Sequence, residues 1–143
     1  MKLVTRREGI LELRDDKFCF VCGPENPGGL RLHFEVDEAT RSIKTVFEPV
    51  KAHQGYQDVV HGGLISTVLD EAMTKLAFSL GIDAVTAKLT VRFKRPLMVG
   101  ERVHVTGRLT KESGRVIEAE SSAVKDDGTV VAEGEGLLMR VRK

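Results

Sequence analysis

Apolar residues recur at two different spacings along this chain, and the change of spacing divides it into elements. Leu64, Ile65, Val68, Leu69, Ala72, Met73, Leu76, Ala77 and Leu80 fall on adjacent turns, which predicts an amphipathic helix that Gly81 ends. Elsewhere the period is two. In LRLHFEVD, Leu30, Leu32, Phe34 and Val36 share one face and Arg31, His33 and Glu35 the other; DEATR then turns the chain into SIKTVFEP, predicting a hairpin. Residues 50–60 read as a polar connecting loop. After the helix come AVTAKLTVRFKRP, ERVHVTGRLTKES, RVIEAESSAVKDD and TVVAEGEGLLMRVRK, separated by the turn signals MVGE, ESGR and DDGT, which predicts an antiparallel meander. The charged residues 1–17 predict a loose or short helical N-terminal segment. One helix with a wide apolar stripe must lie on the only sheet available, so the pattern predicts a two-layer α+β domain over residues 1–143.

Composition narrows the class without changing that architecture. The chain has 143 residues, 41% hydrophobic and 30% charged, which suits one core and excludes a disordered chain. A formal net charge of +1 calls for neither nucleic acid nor a membrane surface as partner. The N-terminus MKLVTRREGILELRDD lacks the apolar run of a signal peptide, and no stretch approaches the ~20 apolar residues of a membrane span. A cytoplasmic protein is expected.

Candidate chemistry gathers at the helix. Projected at about 100° per residue, Ser66, Thr67, Asp70 and Thr74 form a narrow polar stripe of small side chains opposite the apolar stripe, expected to face away from the helix's own sheet, with Glu71 and Lys75 at its edge. Such a stripe is either a solvated face or the wall of a site. The helix opens on His61, Gly62 and Gly63. Two glycines there are either a flexible turn or a pair of accessible backbone N–H groups at the positive end of the helix dipole, suited to an oxyanion. Lys88, Arg92 and Lys94 alternate with Leu89, Val91 and Phe93, and Arg95 follows; this is either a solvated strand face or a set of phosphate contacts. Cys19 and Cys22 form a CFVC unit compatible with half a zinc site, a redox pair or two packed thiols. There is no second CxxC, and His33 and His53 lack a paired spacing, so packed thiols is the preferred reading and no metal or cofactor is expected.

The stretch VVHGGLISTVLDEAM, with TAKLTVRFKRPLMVGE downstream and CFVCGPENPGGL upstream, resembles the hotdog-fold acyl-CoA thioesterases, in the branch where HGG precedes an Asp and which includes phenylacetate-pathway thioesterases. The resemblance runs from about Cys19 to the end of the chain. It implies a long central helix wrapped by a curled antiparallel sheet, a homodimer or pair of dimers formed by edge-to-edge sheets, and active sites at the dimer interface.

Carried onto this chain, the resemblance implies hydrolysis of an acyl-CoA to free acid and coenzyme A. Asp70 would be general base or nucleophile and the Gly62 amide the oxyanion donor. Thr86 would hold the attacking water, and His61 would support the loop or the carbonyl. Many members carry an Asn before HGG; here HQGYQDVV has none, and Gln54 or Gln57 would replace it. Gly63, Lys88, Arg92, Lys94 and Arg95 complete the expected substrate contacts. A non-catalytic acyl-CoA-binding protein and a dehydratase of the same fold are the alternatives. With ~1.5 Å rise per residue, Asp70 lies roughly 10 Å from the amides of its own helix start, so each site is expected to combine two subunits.

Overall fold

The computed structural model describes residues 6–7 and 10–141. Its main body is one long helix, α1 (Gly62–Ser79), laid across one face of a six-stranded antiparallel sheet that does not close. The strands are β3 (Glu35–Asp37), β4 (Ser42–Phe47), β5 (Ala84–Phe93), β6 (Val103–Ser113), β7 (Val116–Lys125) and β8 (Val130–Arg140), in the order β3-β4-β6-β7-β8-β5. The meander β6-β7-β8 comes from the turn signals of the sequence: Gly114 and Gly128 take positive φ at its two corners, and Gly100 does so in the turn that leads into β6. The strand following the helix, β5, returns to the outside of β8 and forms an edge of the sheet.

Both ends of α1 are set by local chemistry. His61 is the N-cap, and its Nδ1 accepts from the Gly63 N–H at 2.9 Å. At the other end Gly81 adopts φ +82°; the Gly81 N–H bonds to the Phe78 carbonyl at 3.0 Å and the Ile82 N–H to the Ala77 carbonyl at 2.8 Å. These two bonds satisfy terminal carbonyls in the manner that a left-handed glycine permits. Between the caps Leu69, Ala72, Met73 and Leu76 are completely buried, and Leu69, Ala72 and Leu76 share one core with Ile43, Val105 and Val131 of the sheet. The helix can approach this closely because the sheet is bare beneath it. A Cβ at Gly107 would stand 3.2 Å from the Ala72 Cβ, and one at Gly136 3.0 Å from the Met73 Cε. Truncating the fully buried Leu76 to Ala would open a cavity in this core, at a cost of about 2–5 kcal/mol.

Three expectations need correction. Within residues 1–17, Arg6–Arg7 (β1) and Ile10–Leu11 (β2) pair as a small antiparallel ladder where a loose or helical segment was expected; residues 1–5 and 8–9 lie outside the described residues. Residues 30–34 keep their alternating burial but join no strand. Arg31 sits at φ +51°, and the Leu30 and Leu32 N–H groups bond instead to the Phe20 and Val21 carbonyls, both at 2.8 Å. The strand therefore begins only at Glu35, and the preceding extended chain braces the cysteine loop. The polar stripe of α1, finally, is not turned wholly away from its own sheet: Asp70 reaches the edge strand β5.

Candidate active site

Asp70 and Thr86 are brought together by a bulge. Strict alternation through Leu89, Val91 and Phe93 would place Thr86 with Lys88 on the outer face of β5. Ladder pairing runs Thr86↔Leu138 and then Lys88↔Leu137, so Ala87 is an extra residue that reverses the alternation. Thr86 thereby shares the helix side with Leu89 and Val91, and its hydroxyl donates to Asp70 Oδ1 at 2.6 Å. Two other stripe hydroxyls are turned back onto the helix: Thr67 donates to the Gly63 carbonyl at 2.8 Å and Thr74 to the Asp70 carbonyl at 3.2 Å.

Both residues line a cavity of about 430 Å³ between α1, the start of β5 and the segment from Leu13 to Cys22. Phe78, Ala84 and Val85 supply its apolar wall, while Arg14 and Lys75 are its cations. Cys19 and Cys22 also face it. Sequence spacing did not single out Glu71 as their neighbour, yet the Cys19 thiol donates to Glu71 Oε2 at 3.2 Å across 52 residues of chain. Burial, and then the Glu71 carboxylate, push the Cys22 thiol up to about 12, which keeps it protonated and poorly nucleophilic at neutral pH.

The helix start lies apart from this cavity. The Gly63 N–H is occupied by the His61 ring, and His61 is itself fixed by its N–H to the His53 carbonyl at 2.9 Å. The Gly62 N–H makes no hydrogen bond among the described residues, and the Phe93 ring stands 3.4 Å from where a Gly62 Cβ would be. Eight helical steps separate Gly62 from Asp70, more than ~10 Å along the axis. Of the two candidate amides, then, one is committed to a cap and one is open, and neither reaches the Asp70 carboxylate of its own chain.

The other candidate contacts are dispersed. Gln54 is committed through Oε1, which accepts from the Asp58 N–H at 2.9 Å, and exposed Gln57 lies in the same loop. Lys88 and Arg92 line shallow grooves on the sheet face opposite α1. Lys94 pairs with Glu133 at 3.2 Å, and the Arg95 guanidinium donates to the Lys94 carbonyl at 2.9 Å. None of these cations faces the Asp70 cavity.

With one helix on an open six-stranded antiparallel sheet, the chain belongs to the Thioesterase superfamily, whose family profile matches residues 57–132, just over half of it. Among curated relatives, it is 34% identical over 119 residues to the 3-hydroxyacyl-(acyl-carrier-protein) dehydratase FabZ of Anaeromyxobacter dehalogenans, covering 76% of each chain. It is 35% identical over 79 residues to the acyl-coenzyme A thioesterase THEM4 of Rattus norvegicus, covering 55% of this chain and only 34% of that protein. Among solved structures, the thioesterase superfamily protein RHA08564 superposes with a TM-score of 0.80 at 28% identity, over 92% of this chain and 65% of that one. The smu.793 protein of Streptococcus mutans, bound to acetyl CoA, has the same fold, with a TM-score of 0.71 at 19% identity over 76% of this chain and 87% of that one. The hotdog architecture expected from the sequence is thus the architecture of the family.

Proposed function

We propose that the protein hydrolyses acyl-CoA thioesters, with Asp70 as the catalytic carboxylate and Gly62 of a second subunit as the oxyanion donor. The observation that carries this reading is the Asp70–Thr86 pair on the wall of the cavity. Thr86 engages one oxygen of the carboxylate, fixing its orientation and leaving the other free toward the cavity. In the general-base route, Asp70 takes a proton from water as the water oxygen attacks the thioester carbon. The carbonyl oxygen becomes an oxyanion that the Gly62 N–H, at the positive end of α1, is suited to stabilise. The C–S bond then breaks and the thiolate of coenzyme A takes up the proton. In the nucleophilic route Asp70 attacks directly and expels the coenzyme A thiolate as the C–S bond breaks; water then hydrolyses the mixed anhydride, regenerating the Asp70 carboxylate, and its proton goes to the thiolate.

The separation along α1 supports a site shared by two chains. An edge strand of ten residues, β5, has no partner on its outer side among the described residues, and unpaired strands of that length favour pairing with another chain. Exposed Phe78, Val85 and Phe93 lie on or near that edge and would be covered in such a dimer. An antiparallel second copy brings its helix start toward Asp70. THEM4, an acyl-coenzyme A thioesterase, and the acetyl-CoA complex of smu.793 support the choice of substrate class.

The likeness to FabZ favours one rival, dehydration of a hydroxyacyl thioester. Such chemistry commonly sets a histidine beside the acid; among the described residues none lines the Asp70 cavity within one chain, and the His61 that a second subunit would bring with Gly62 is held by its Nδ1 in capping the Gly63 N–H. Both readings are tested together by incubating the protein with acyl-CoAs of short, long and aromatic chains, reading released thiol, and with enoyl and 3-hydroxyacyl thioesters, reading enoyl absorbance. Thiol release lost in Asp70→Asn, without enoyl interconversion, is expected. Enoyl interconversion without thiol release would establish the dehydratase instead.

A further inference from the structure

The CFVC unit and Glu71 form a cluster that the proposed hydrolysis does not use. Cys19 Sγ, Cys22 Sγ and a Glu71 carboxylate oxygen all lie within 4.8 Å of one another, and all three side chains are half-buried. In a tetrahedral zinc site, metal–sulfur bonds of about 2.3 Å and metal–oxygen bonds of about 2.0–2.2 Å put ligand atoms roughly 3.5–3.8 Å apart. The Cys19–Glu71 separation of 3.2 Å is already close to that, and small side-chain rotations would complete the set.

The backbone of the turn is shaped for thiolate ligands. The Val21 N–H points at Cys19 Sγ at 3.4 Å, and the Gly23 N–H closes the turn on the Cys19 carbonyl at 2.9 Å. A Cβ at Gly23 would stand 2.4 Å from the Cys19 nitrogen, so only glycine lets the chain fold back this tightly after the second cysteine. The turn is anchored from behind by the Leu30 and Leu32 N–H groups on the Phe20 and Val21 carbonyls. Glu71, for its part, is half-buried against the two sulfurs and accepts from the Cys19 thiol. Two sulfurs and a carboxylate converging at this distance form a donor set suited to a divalent transition metal.

We propose that Cys19, Cys22 and Glu71 form a site for a divalent transition-metal ion, zinc being the best match, which clamps the cysteine loop to α1 one residue after Asp70. Two S–H protons leave to solvent as two sulfur–metal bonds form, the carboxylate supplies the third ligand, and the fourth position faces the cavity, open to water. This departs from the packed-thiol reading of the sequence, which lacked the third ligand. It stands independently of the proposed hydrolysis, because its test reads metal rather than substrate.

The test uses the full chain without a histidine tag, reduced, loaded with zinc and dialysed against metal-free buffer, with elemental analysis and competition against a chromophoric chelator. About one zinc per chain is expected, together with sulfur-to-metal charge-transfer absorption when cobalt replaces zinc. Cys19→Ser, Cys22→Ser and Glu71→Gln should each weaken binding by about 100-fold or more, while Asp70→Asn retains the metal. Zinc should raise the thermal midpoint of the parent by about 5 °C or more and leave that of folded Glu71→Gln unmoved. Less than about 0.1 zinc per reduced chain, cobalt binding without the charge-transfer band, or equal uptake by parent and Glu71→Gln would each overturn the site.

Discussion

The Thr86 hydroxyl meets Asp70 Oδ1 at 2.6 Å because Ala87 is an extra residue in β5. Without that bulge the strand would carry Thr86 on its outer face with Lys88 and leave the carboxylate facing an empty position. Deleting Ala87 should restore a regular ladder to β8 in which Thr86 directly precedes Lys88, so that the pairing Thr86↔Leu138 and the helix-facing hydroxyl survive. The expected outcome is a folded protein whose thioester turnover stays within about 10-fold of the parent and above that of Thr86→Ala, checked by circular dichroism and thiol release. An Ala87-deleted chain that folds but turns over no faster than Thr86→Ala would contradict a Thr86 placement set by strand pairing.

Asp70→Asn keeps the shape of the side chain and can still accept from Thr86, but cannot take a proton or attack a carbonyl. Turnover should fall by about 10²–10⁴-fold with the thermal midpoint little changed. Steady-state kinetics beside thermal unfolding make the check.

Thr86→Ala should lower kcat by about 10–100-fold while KM changes little, since a hydroxyl that orients the carboxylate or its water matters chiefly in the transition state. Thr86→Ser, which keeps the hydroxyl, should be milder. A rise in KM alone would place Thr86 in substrate binding.

Glu101 braces the loop that leads into α1. Its carboxylate accepts from the Met98 N–H at 2.8 Å and pairs with Lys125 at 3.0 Å, and Met98 in turn bridges to Val59. The Met98 hydrogen bond, followed by Lys125, holds the Glu101 carboxyl below its ordinary 4.5. A lowered folded-state value gives stability that is full above 4.5 and is lost as pH falls through that lowered value. Glu101→Ala should cost under about 1 kcal/mol near neutral pH, given its exposure, and the difference from parent should shrink toward about pH 3. Urea unfolding at the two pH values measures it.

Much of this arrangement is legible in the sequence, for reasons that separate local from tertiary information. The helix could be read because Leu69, Ala72, Met73 and Leu76 repeat at its own period, and its end because Gly81 suits a left-handed residue. The meander could be read because each corner carries a glycine. Asp70 stood out because its neighbours on the stripe are small. The bulge at Ala87 left no trace, since AKLT contains no glycine or proline to mark it, and strict alternation then misplaces Thr86. Arg31 at φ +51° likewise carries no signal in LRLHFEVD. Glu71 looked like a residue at the edge of a polar stripe, because its contact with Cys19 spans 52 residues and exists only once the loop is folded. His61 as the cap, which takes Gly63 out of the set of free amides, was hidden by the better-known capping residues it replaces.

The central claim is that one site draws its carboxylate and its oxyanion donor from different chains. Proline is well tolerated at the first position of a helix, and His61, at φ −61° and ψ 126°, already has the extended conformation that a following proline requires. Gly62→Pro therefore removes the proposed N–H donor with little disturbance to α1. Inactive Asp70→Ala and Gly62→Pro chains, each confirmed folded, are mixed under conditions of subunit exchange, and thiol release is followed as heterodimers form. In a heterodimer one site collects both defects and the other has neither, so a 1:1 mixture should recover about a quarter of parental activity. Verified heterodimers that release no thiol above the separate parents would contradict the shared site.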